Sequence, residues 1–551
     1  MWWLVCGVVI GVVVGAILYL VWRYRQIDFL EPKLSLRPEQ YAPTKLQDEQ
    51  RSCGPNSLHR NRWGVWEARL EGSAEERGAA FGAMAADLLV RQEQIFVDQI
   101  RSLIPSDRYL HFLYRCTIFF NRRMAHHVPE EYRREIAAMA RFCSPKFAEF
   151  GSSYVRQLNY HAAHDIGHAM QKYMLVGCSA FAVRGARSAD GQLLVGRNFD
   201  FYFGDAFARE KLLLVVKPER GYAFASVAWP GMWGVVSGMN QRGLTVTLNA
   251  AEGKIPTSAA LPVSLLAREI LQYAATLDEA FAIVERAKIF VSESLLVASA
   301  ADDRAEVFEK TPGGLARYRS DEDRLCVTNH FQSEAFASDA HNQQNIATSD
   351  SLYRHQRLCE LIDQASPINE QTAATILRDR GGLGGVDIGL TNEKAINQSL
   401  AHHTVIFRPS ELRMWVSTAP WQAGEMICYD LHEIFEQAPK EGSWADPART
   451  IAADAIYLEQ DYPRIKAYRA AANRLREAIR KRKALAEFDP EQFQQLNPAY
   501  YETYELLGDY YLAMGHADLA SPMWQAALEC EIPKLPQRTA LLKKLKRYDK
   551  R

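Results

Sequence analysis

Apolar residues recur at helical spacing through the part of the chain that precedes residue 178. Repeats of three and four positions place apolar side chains on one face of a helix. The first helix is expected to begin at Ser73, because a short strand-like run ends just before it and Glu76 follows at the spacing of a capping box. The region 63–177 is therefore predicted to be mostly helical. Its further helical stretches are 83–103, 109–125 and 130–140.

From residue 178 onward the pattern changes to short apolar runs separated by turn residues, which is typical of β-strands. The dipeptide Asp190-Gly191, which favours a tight hairpin turn, lies between the first two runs. Helical spacing returns only in 261–272, 278–287, 349–363 and 370–378. The predicted strands are 179–183, 193–196, 212–217, 223–227, 234–237, 244–249, 294–298, 304–309, 316–319, 325–328, 404–407 and 412–417.

This alternation of strand runs and helical blocks predicts an α+β fold. Antiparallel strands interrupted by two helical blocks suit two stacked sheets with helices on both outer faces. Periodicity alone goes no further than the α+β class.

The chain becomes helical and charged again beyond residue 430. The run Tyr504–Tyr511, with Ala520, Trp524 and Ala527 after it, matches the tetratricopeptide pattern. A single repeat cannot bury its apolar face alone. It is therefore expected to dock on neighbouring helices or on the catalytic body, and the alternative is an array that binds a protein partner.

The first residues form the most apolar stretch of the chain. Met1–Trp22 has the length of a bilayer-spanning helix, carries aromatic residues near its ends, and is followed by Arg23 and Arg25. A signal peptide would need a basic leader before the apolar run. The sequence thus predicts a single-pass membrane protein in contact with a lipid bilayer. The basic residues favour the cytoplasm for the body of the protein, but they are few, and the orientation stays open.

These patterns divide the chain into five parts. The stretch between the apolar segment and Trp63 holds several prolines and little periodicity, as a tether does. The predicted parts are a transmembrane anchor 1–25, a linker 26–62, a mostly helical pro-segment or small subunit 63–177, a catalytic domain 178–435, and a helical, tetratricopeptide-like region 436–551.

Composition excludes some classes of function. The 551 residues include 48% hydrophobic residues, which describes a folded protein of two or three units. Sixty-five basic and sixty-six acidic residues nearly cancel, so no nucleic-acid partner is predicted. The nine cysteines include no Cys-x-x-Cys pair, which argues against a zinc ribbon and a dense disulfide scaffold.

Cys178 differs from the other cysteines by its neighbours. A thiol is a nucleophile only as the thiolate, so a catalytic cysteine needs a base and cationic help nearby. If the Gly177–Cys178 bond were cut, Cys178 would carry a free α-amine, whose pKa of about 7.7–8.0 suits a base near neutral pH. One residue would then supply both the nucleophile and the base.

Four motifs around this cysteine resemble a known superfamily in their order and spacing. They are Gly177-Cys178-Ser179, the run from Gly196 to Asp200, the run from Gly238 to Asn249, and the run from Val327 to His330. Together they resemble the N-terminal-nucleophile hydrolases, most of all the penicillin acyltransferase branch with its autoproteolytic acyltransferases. Bile salt hydrolases and acid ceramidases are more distant relatives. The likeness extends over about 70–430. Members of the family with such apolar leaders usually act outside the cytoplasm, so the resemblance favours the extracytoplasmic side and conflicts with the charge pattern.

The resemblance implies a four-layer αββα sandwich and a role for each motif residue. Cys178 would attack through sulfur, Arg197 would favour its thiolate, and Asp200 would order the α-amine. Asn249 matches the family's oxyanion donor, and Asn329 matches an asparagine that holds the surroundings of the nucleophile. Because 177 residues precede Cys178, the chain would have to be cut internally, by attack of the Cys178 thiol on the Gly177 carbonyl.

A histidine cluster before the cysteine offers a competing interpretation. On a helix, His161, His164 and His168 would share one face, as metal ligands do. Zinc proteases with two such histidines carry a glutamate between them, and this stretch has only Asp165. Hydrogen bonding inside the core or lining of an acyl pocket is favoured, and no metal or cofactor is predicted.

Three classes of function remain open from the sequence. The first is a self-cleaving amidohydrolase or acyltransferase that acts on a small N-acyl amine or N-acyl amino acid through a thioester. The second is a non-catalytic membrane scaffold that uses its C-terminal helices. The third is a Cys–His protease with His164, His168 or His330 as base, which would be active without a cut.

Overall fold

The structure is a computed structural model of the chain. It describes residues 14–15, 18–19, 22–37, 40–45, 50–169, 175–204, 206–320, 322–436 and 443–548, with the side chains of Lys45, 168–169 and 175–176 excepted.

The larger of two central sheets contains eleven strands in the order β1-β2-β3-β4-β7-β8-β9-β10-β11-β12-β13. All neighbours in it are antiparallel except β4 and β7, which run parallel. Its strands are β1 (Thr44–Lys45), β2 (Arg51–Cys53), β3 (Asn56–Arg60), β4 (Trp66–Gly72), β7 (Leu212–Pro218), β8 (Phe224–Ala228), β9 (Ser237–Asn240), β10 (Leu244–Ala251), β11 (Ser292–Ser299), β12 (Arg304–Thr311) and β13 (Gly314–Tyr318).

The smaller sheet contains seven antiparallel strands in the order β14-β5-β6-β15-β16-β17-β18. Its central strands carry the predicted nucleophile and the predicted arginine. The strands are β5 (Leu175–Val183), β6 (Leu194–Tyr202), β14 (Arg324–Val327), β15 (His403–Arg408), β16 (Arg413–Ser417), β17 (Met426–Asp430) and β18 (Ala445–Ile451).

Helices cover both sheets and form the end of the chain. They are α1 (Ala74–Met84), α2 (Ala86–Leu103), α3 (Asp107–Phe120), α4 (Glu130–Ala140), α5 (Ser153–Tyr160), α6 (Ala163–Ala169), α7 (Val263–Tyr273), α8 (Leu277–Arg286), α9 (Ala340–Thr348), α10 (Ser351–Ala365), α11 (Glu370–Leu377), α12 (Leu431–Glu436), α13 (Tyr462–Lys481), α14 (Pro490–Leu496), α15 (Tyr501–Ala513), α16 (Ala517–Glu529) and α17 (Leu535–Tyr548).

Three apolar clusters stack these elements into four layers. The central cluster joins the facing sides of the two sheets, with Ala180 and Val405 on one side and Leu213 on the other. A second cluster packs helices α1, α4, α7 and α8 on the outer face of the larger sheet. A third packs α10 and α11 on the outer face of the smaller sheet. The predicted α+β fold is confirmed, and its layers are helix, sheet, sheet and helix.

The local predictions that depend on near neighbours are met by the structure. Ser73 caps α1, and its side chain accepts a hydrogen bond from the backbone N–H of Glu76 while Glu76 accepts one from the N–H of Ser73. Strands β5 and β6 form the hairpin around Asp190-Gly191, and Gly191 has a φ of 76°. This backbone conformation favours glycine, which is why the turn forms there.

The sheets extend beyond the predicted catalytic boundaries. Strands β1 to β3 lie in the range predicted as a linker, and β4 joins the larger sheet before Cys178. At the other end β18 pairs with β17 inside the range predicted as purely helical. Short strands of mixed polarity at a sheet edge carry little periodic signal, so pattern reasoning missed them.

The C-terminal helices form their own apolar cluster and dock on the catalytic body. Trp524 is fully buried there and lies against Gly508, where an added Cβ would come within 2.4 Å of its ring nitrogen. The contact with the catalytic body is partly apolar, since Ile465 packs with Ala423. It is also polar: Asn497 and the backbone of Leu390 exchange two hydrogen bonds of 2.9 Å, and Lys534 pairs with Glu393. The helical character is confirmed, while the tetratricopeptide likeness and a protein partner remain predictions.

The membrane prediction is contradicted. Among the residues that the structure describes, no helix combines the length and the apolar character needed to cross a bilayer. The predicted anchor, residues 1–25, falls largely outside the described ranges. A single-pass localisation and a bilayer contact through an N-terminal helix are therefore without support, since they rested only on the length and apolar character of the run and on its flanking residues.

The contact between α1 and α4 yields a test of the packing. A Cβ added to Gly78 would lie 2.1 Å from the backbone carbonyl of Glu135, so Gly78→Ala must push the two helices apart. We expect a loss of about 1–3 kcal/mol in the free energy of unfolding, measured by urea denaturation. Gly313→Ala is the control, because nothing lies within 4 Å of its added Cβ. Equal midpoints for the two variants would contradict this packing.

Candidate active site

Cys178 lies in the middle of the sandwich. It belongs to β5, is fully buried, and pairs with Phe199 on β6, while Gly177 pairs with Asp200 and Ala180 with Arg197. Alternate residues of a strand point to opposite faces of the sheet. Cys178 and Arg197 thus share the face toward the other sheet, whereas Gly177 and Asp200 share the face toward helices α10 and α11.

The Arg197 side chain contacts the sulfur of Cys178 and the opposite sheet together. Its Nη2 lies 3.5 Å from Cys178 Sγ and also donates to the backbone carbonyl of Leu248 on β10. Its Nη1 donates to Ser237 Oγ on β9 at 2.5 Å. The guanidinium lies 4.4 Å above the ring of Phe199. These contacts fix a positive charge beside the thiol.

The uncut chain holds this thiol in its neutral form. Burial raises the pKa of the Cys178 thiol to about 11, and the charge of Arg197 offsets that effect only in part. Desolvation disfavours the thiolate, which is the charged form. The predicted nucleophile is therefore protonated at neutral pH while Gly177 remains attached.

Asn329 and Arg354 hold the backbone of Cys178. Asn329 Oδ1 accepts a hydrogen bond from the backbone N–H of Cys178 at 2.9 Å. Arg354, on α10, donates to the Cys178 carbonyl at 2.7 Å and to the same Asn329 Oδ1 at 2.7 Å. Asn329 Nδ2 in turn donates to the backbone carbonyl of Ala250 at 2.8 Å. The nitrogen that a cut would free therefore already faces an acceptor in a fixed orientation.

Asp200 is a buried carboxyl without a hydrogen-bond partner in the described part of the chain. Burial raises its pKa to about 7, and the charges of Arg354 and Arg197 act in the opposite direction. Its backbone N–H lies within hydrogen-bond reach of the Cys178 sulfur. An unpartnered buried carboxyl is costly, and an amine formed beside it would supply the missing donor.

Asn249, on β10, contacts the backbone of the segment that leads to Asn329. Its Nδ2 donates to the backbone carbonyls of Thr328 at 3.1 Å and Val327 at 3.4 Å, just before Asn329. Its Oδ1 has no partner among the described residues. Four of the five predicted residues, Cys178, Arg197, Asp200 and Asn329, thus meet at the cysteine. Asn249 lies beside them with its amide donors engaged, so its oxyanion role remains a prediction.

Several residues of the site were missed by sequence reasoning. Arg354 lies 176 positions after Cys178, and no local motif marks it. The buried His403 hydrogen-bonds Ser237 Oγ at 2.8 Å, and this serine accepts from Arg197. Glu293 is a buried carboxyl with no described partner, and burial raises its pKa well above the usual value. Arg354 shares helix α10 with Arg357, Glu360 and Asp363, so no sequence signal singles it out.

The histidines have other contacts than the competing interpretations require. His161 uses one ring nitrogen on the carbonyl of Gln157 and the other on the backbone N–H of Trp233, so it bonds inside the core. His164 lies 3.3 Å from Asp165, and His330 bonds Ser351 Oγ at 2.8 Å. The side chain of His168 lies outside the description. Burial lowers the pKa of His330 to about 3, which leaves it a weak base.

Comparisons with known proteins agree with the resemblance. Residues 187–420 match the family model described as acyl-coenzyme A:6-aminopenicillanic acid acyl-transferase. An uncharacterized protein of Archaeoglobus fulgidus is 23% identical over 429 residues, which are 71% of this chain and 69% of that protein.

Two solved structures are also similar to the chain. An N-acylethanolamine-hydrolyzing acid amidase ortholog of Caenorhabditis elegans is 16% identical, with a TM-score of 0.31, and the match covers 42% of this chain and 93% of that one. A variant of the conjugated bile acid hydrolase from Clostridium perfringens is 12% identical, with a TM-score of 0.34, over 51% of this chain and all of that one (100%).

The family match confirms the resemblance to the penicillin acyltransferase branch over its matched range. That range holds Arg197, Asp200, Asn249 and Asn329 and begins nine residues after Cys178. Amide hydrolysis or acyl transfer is the general chemistry that the family supports. The matched range does not include the C-terminal helices.

The buried thiol gives a direct chemical test. In the folded, uncut chain at pH 7.5 we expect iodoacetamide to alkylate Cys178 roughly 10²-fold more slowly than an ordinary thiol of pKa about 8.5, because its pKa is raised to about 11. The rate should rise with pH as the thiolate forms. Exposed Cys116 is the internal control, and peptide mass spectrometry gives both rates. Equal labelling of the two cysteines in folded protein would contradict the burial, whereas equal labelling in urea is expected.

Proposed function

We propose that this protein is a cysteine amidohydrolase or acyltransferase that cuts its own chain before Cys178. The observation that carries the proposal is the pair of contacts at one residue: Arg197 Nη2 at the sulfur and Asn329 Oδ1 at the backbone nitrogen. A residue that serves as nucleophile and base needs a fixed partner for each atom. The family match supports amide hydrolysis or acyl transfer in general.

The self-cleavage proceeds by an acyl shift from nitrogen to sulfur. Cys178 Sγ attacks the Gly177 carbonyl carbon, the C–S bond forms, the C–N bond breaks, and the thiol proton ends on the nitrogen. Water then hydrolyses the thioester, which leaves a carboxyl group on Gly177 and a free amine and thiol on Cys178. The thiol is neutral before the cut, so its proton is available for the departing nitrogen.

The cut chain then acts on an N-acyl amine or N-acyl amino acid. The α-amine of Cys178 takes the thiol proton, the sulfur forms a thioester with the acyl group, and the proton passes to the leaving amine. Asp200 and Asn329 hold the α-amine, and Arg197 stabilises the thiolate. Asn249 is the proposed donor to the substrate oxyanion, which would require its amide to leave its present partners. Water or an amine accepts the acyl group.

An apolar acyl group suits the wall that extends from the nucleophile. Phe199, Phe201 and Phe203 stack along β6 with ring centroids 5.6 and 6.4 Å apart, and Trp229 stacks on Phe201 at 6.3 Å. Apolar surface of this kind favours burial of a hydrocarbon or aromatic group. A panel of N-acyl amides that varies only the acyl group tests this choice by its KM values.

Cys178→Ala should abolish both the split and the hydrolysis of a fluorogenic N-acyl amide, because it removes the attacking atom. Intact-mass analysis beside the activity assay gives both readouts. Cys428→Ala is the matched control, since Cys428 is equally buried, on β17. Turnover by the Cys178→Ala variant would remove this residue from its role. Full activity of an uncut wild-type chain would favour a Cys–His protease, and a folded chain without any turnover would favour a scaffold.

A further inference from the structure

Gly177 is enclosed on the side that faces α10. A Cβ added there would lie 2.9 Å from Gln398 Nε2, 3.5 Å from Gln398 Oε1 and 3.6 Å from Arg354 Nη2. Contacts under 3.0 Å force a neighbour to move, so the present position of the Gln398 amide requires glycine at this position. The end of the Gln398 side chain therefore lies against the α-carbon of the residue whose carbonyl would be attacked.

The Gln398 amide has an unused donor. The residue is 3% exposed, and its Nε2 has no hydrogen-bond partner among the residues that the structure describes. A buried donor without a partner costs about 1–3 kcal/mol. Groups of this kind in a folded protein call for a functional explanation, and catalytic roles are among the common ones.

We propose that Gln398 is a catalytic residue of the self-cleavage step, in which its Nε2 donates a hydrogen bond to the Gly177 carbonyl oxygen as that oxygen becomes negative. This inference rests on the proposed self-cleavage. The carbonyl carbon of Gly177 and the position of its added Cβ are both bonded to the same α-carbon. The Gln398 amide, which contacts the Cβ position, can therefore reach the Gly177 carbonyl oxygen by rotation of its side chain. Hydrogen-bond donors that point at the developing charge contribute strongly to the rate of acyl transfer.

Asn249 and Gln398 donate to different oxygens in this proposal. Both bonds from Asn249 Nδ2 go to backbone carbonyls, so that amide is occupied while the chain is uncut. Gln398 approaches from the opposite face, with Gly177, and its donor is free. Gln398 thus serves the bond within the chain, and Asn249 is left for the substrate.

The C-terminal helices hold the segment that carries Gln398. Arg469, on α13, donates to the carbonyl of Ser399 at 3.1 Å. On the other side Asn397 donates its backbone N–H to the carbonyl of Asp379 at 2.8 Å, and its side chain accepts from the N–H of Ser399 at 2.9 Å. Ser399 has a φ of 56°, which its surroundings must maintain. Arg469 is therefore a positioning residue for Gln398.

The test follows the cut in newly made protein. The full chain is translated in a cell-free system with a labelled pulse, and the loss of the uncut band is timed on denaturing gels, with the cut located by mass. Gln398→Met, which keeps the length without the donor, and Gln398→Glu, which keeps the shape, should each slow the cut by about 10²-fold. Gln422→Met is the control, because Gln422 is also buried and unpartnered in the described structure.

A second variant reaches the same contact from the other side. Gly177→Ala displaces the Gln398 amide and should slow the cut to a similar degree. Combined with Gln398→Met it should add little, since both changes remove one contact. Full additivity of the two effects would contradict a shared contact and would leave Gln398 without its role. The Gly177→Ala single variant reports on the contact while Gln398 itself is unchanged.

The outcomes distinguish failure of the proposed Gln398 role from failure of the proposed self-cleavage. Wild-type protein that cuts, beside Gln398 variants that cut equally fast, overturns the role of Gln398 and leaves the self-cleavage standing. Wild-type protein that stays whole while it hydrolyses an N-acyl amide overturns the self-cleavage, and the role of Gln398 in it. Slow cutting by both Gln398 variants with a normal Gln422→Met control supports the inference.

Discussion

The contact between Arg197 and Cys178 depends on both sheets at once. Arg197 extends from β6 in the smaller sheet, and its other partners, Ser237 and Leu248, belong to the larger sheet. The pairing of β5 with β6 decides which face each side chain takes, and a shift by one residue would turn Arg197 toward the helices. The nucleophile therefore depends on strand register and on the stacking of the sheets more than on any local conformation.

Three side chains near the Gly177–Cys178 bond carry polar atoms without a partner. Asp200 lacks a partner for its carboxyl, Gln398 lacks one for its amide nitrogen, and Asn249 lacks one for its amide oxygen, in the described part of the chain. Each is fully or almost fully buried, so each lowers the stability of the uncut fold. A cut would add an amine and a carboxyl group at this place, and both can bond such groups. These groups suit the proposed self-cleavage, in which the reaction would complete the site.

Segments far from Cys178 in the chain complete the structure around it. Strand β4 and helix α1 precede Cys178 in the chain and yet complete the larger sheet and its outer layer. At the other end α13 contacts the loop that reaches Gly177. An N-terminal or C-terminal truncation would therefore change the surroundings of the cut as well as the length of the chain.

The sequence by itself determined the features that depend on residues close together in the chain. The capping box at Ser73, the hairpin at Asp190-Gly191 and the change from helical to strand spacing near residue 178 depend on contacts a few residues apart, and the order of the motifs pointed to Cys178. The apolar run at the start misled, since its length, its apolar character and its flanking residues were the only basis for a membrane span. Arg354 and Gln398 were decided by the tertiary structure alone, because the packing of α10 brings Arg354 to Cys178 across 176 positions and a loop brings Gln398 to Gly177 across 221.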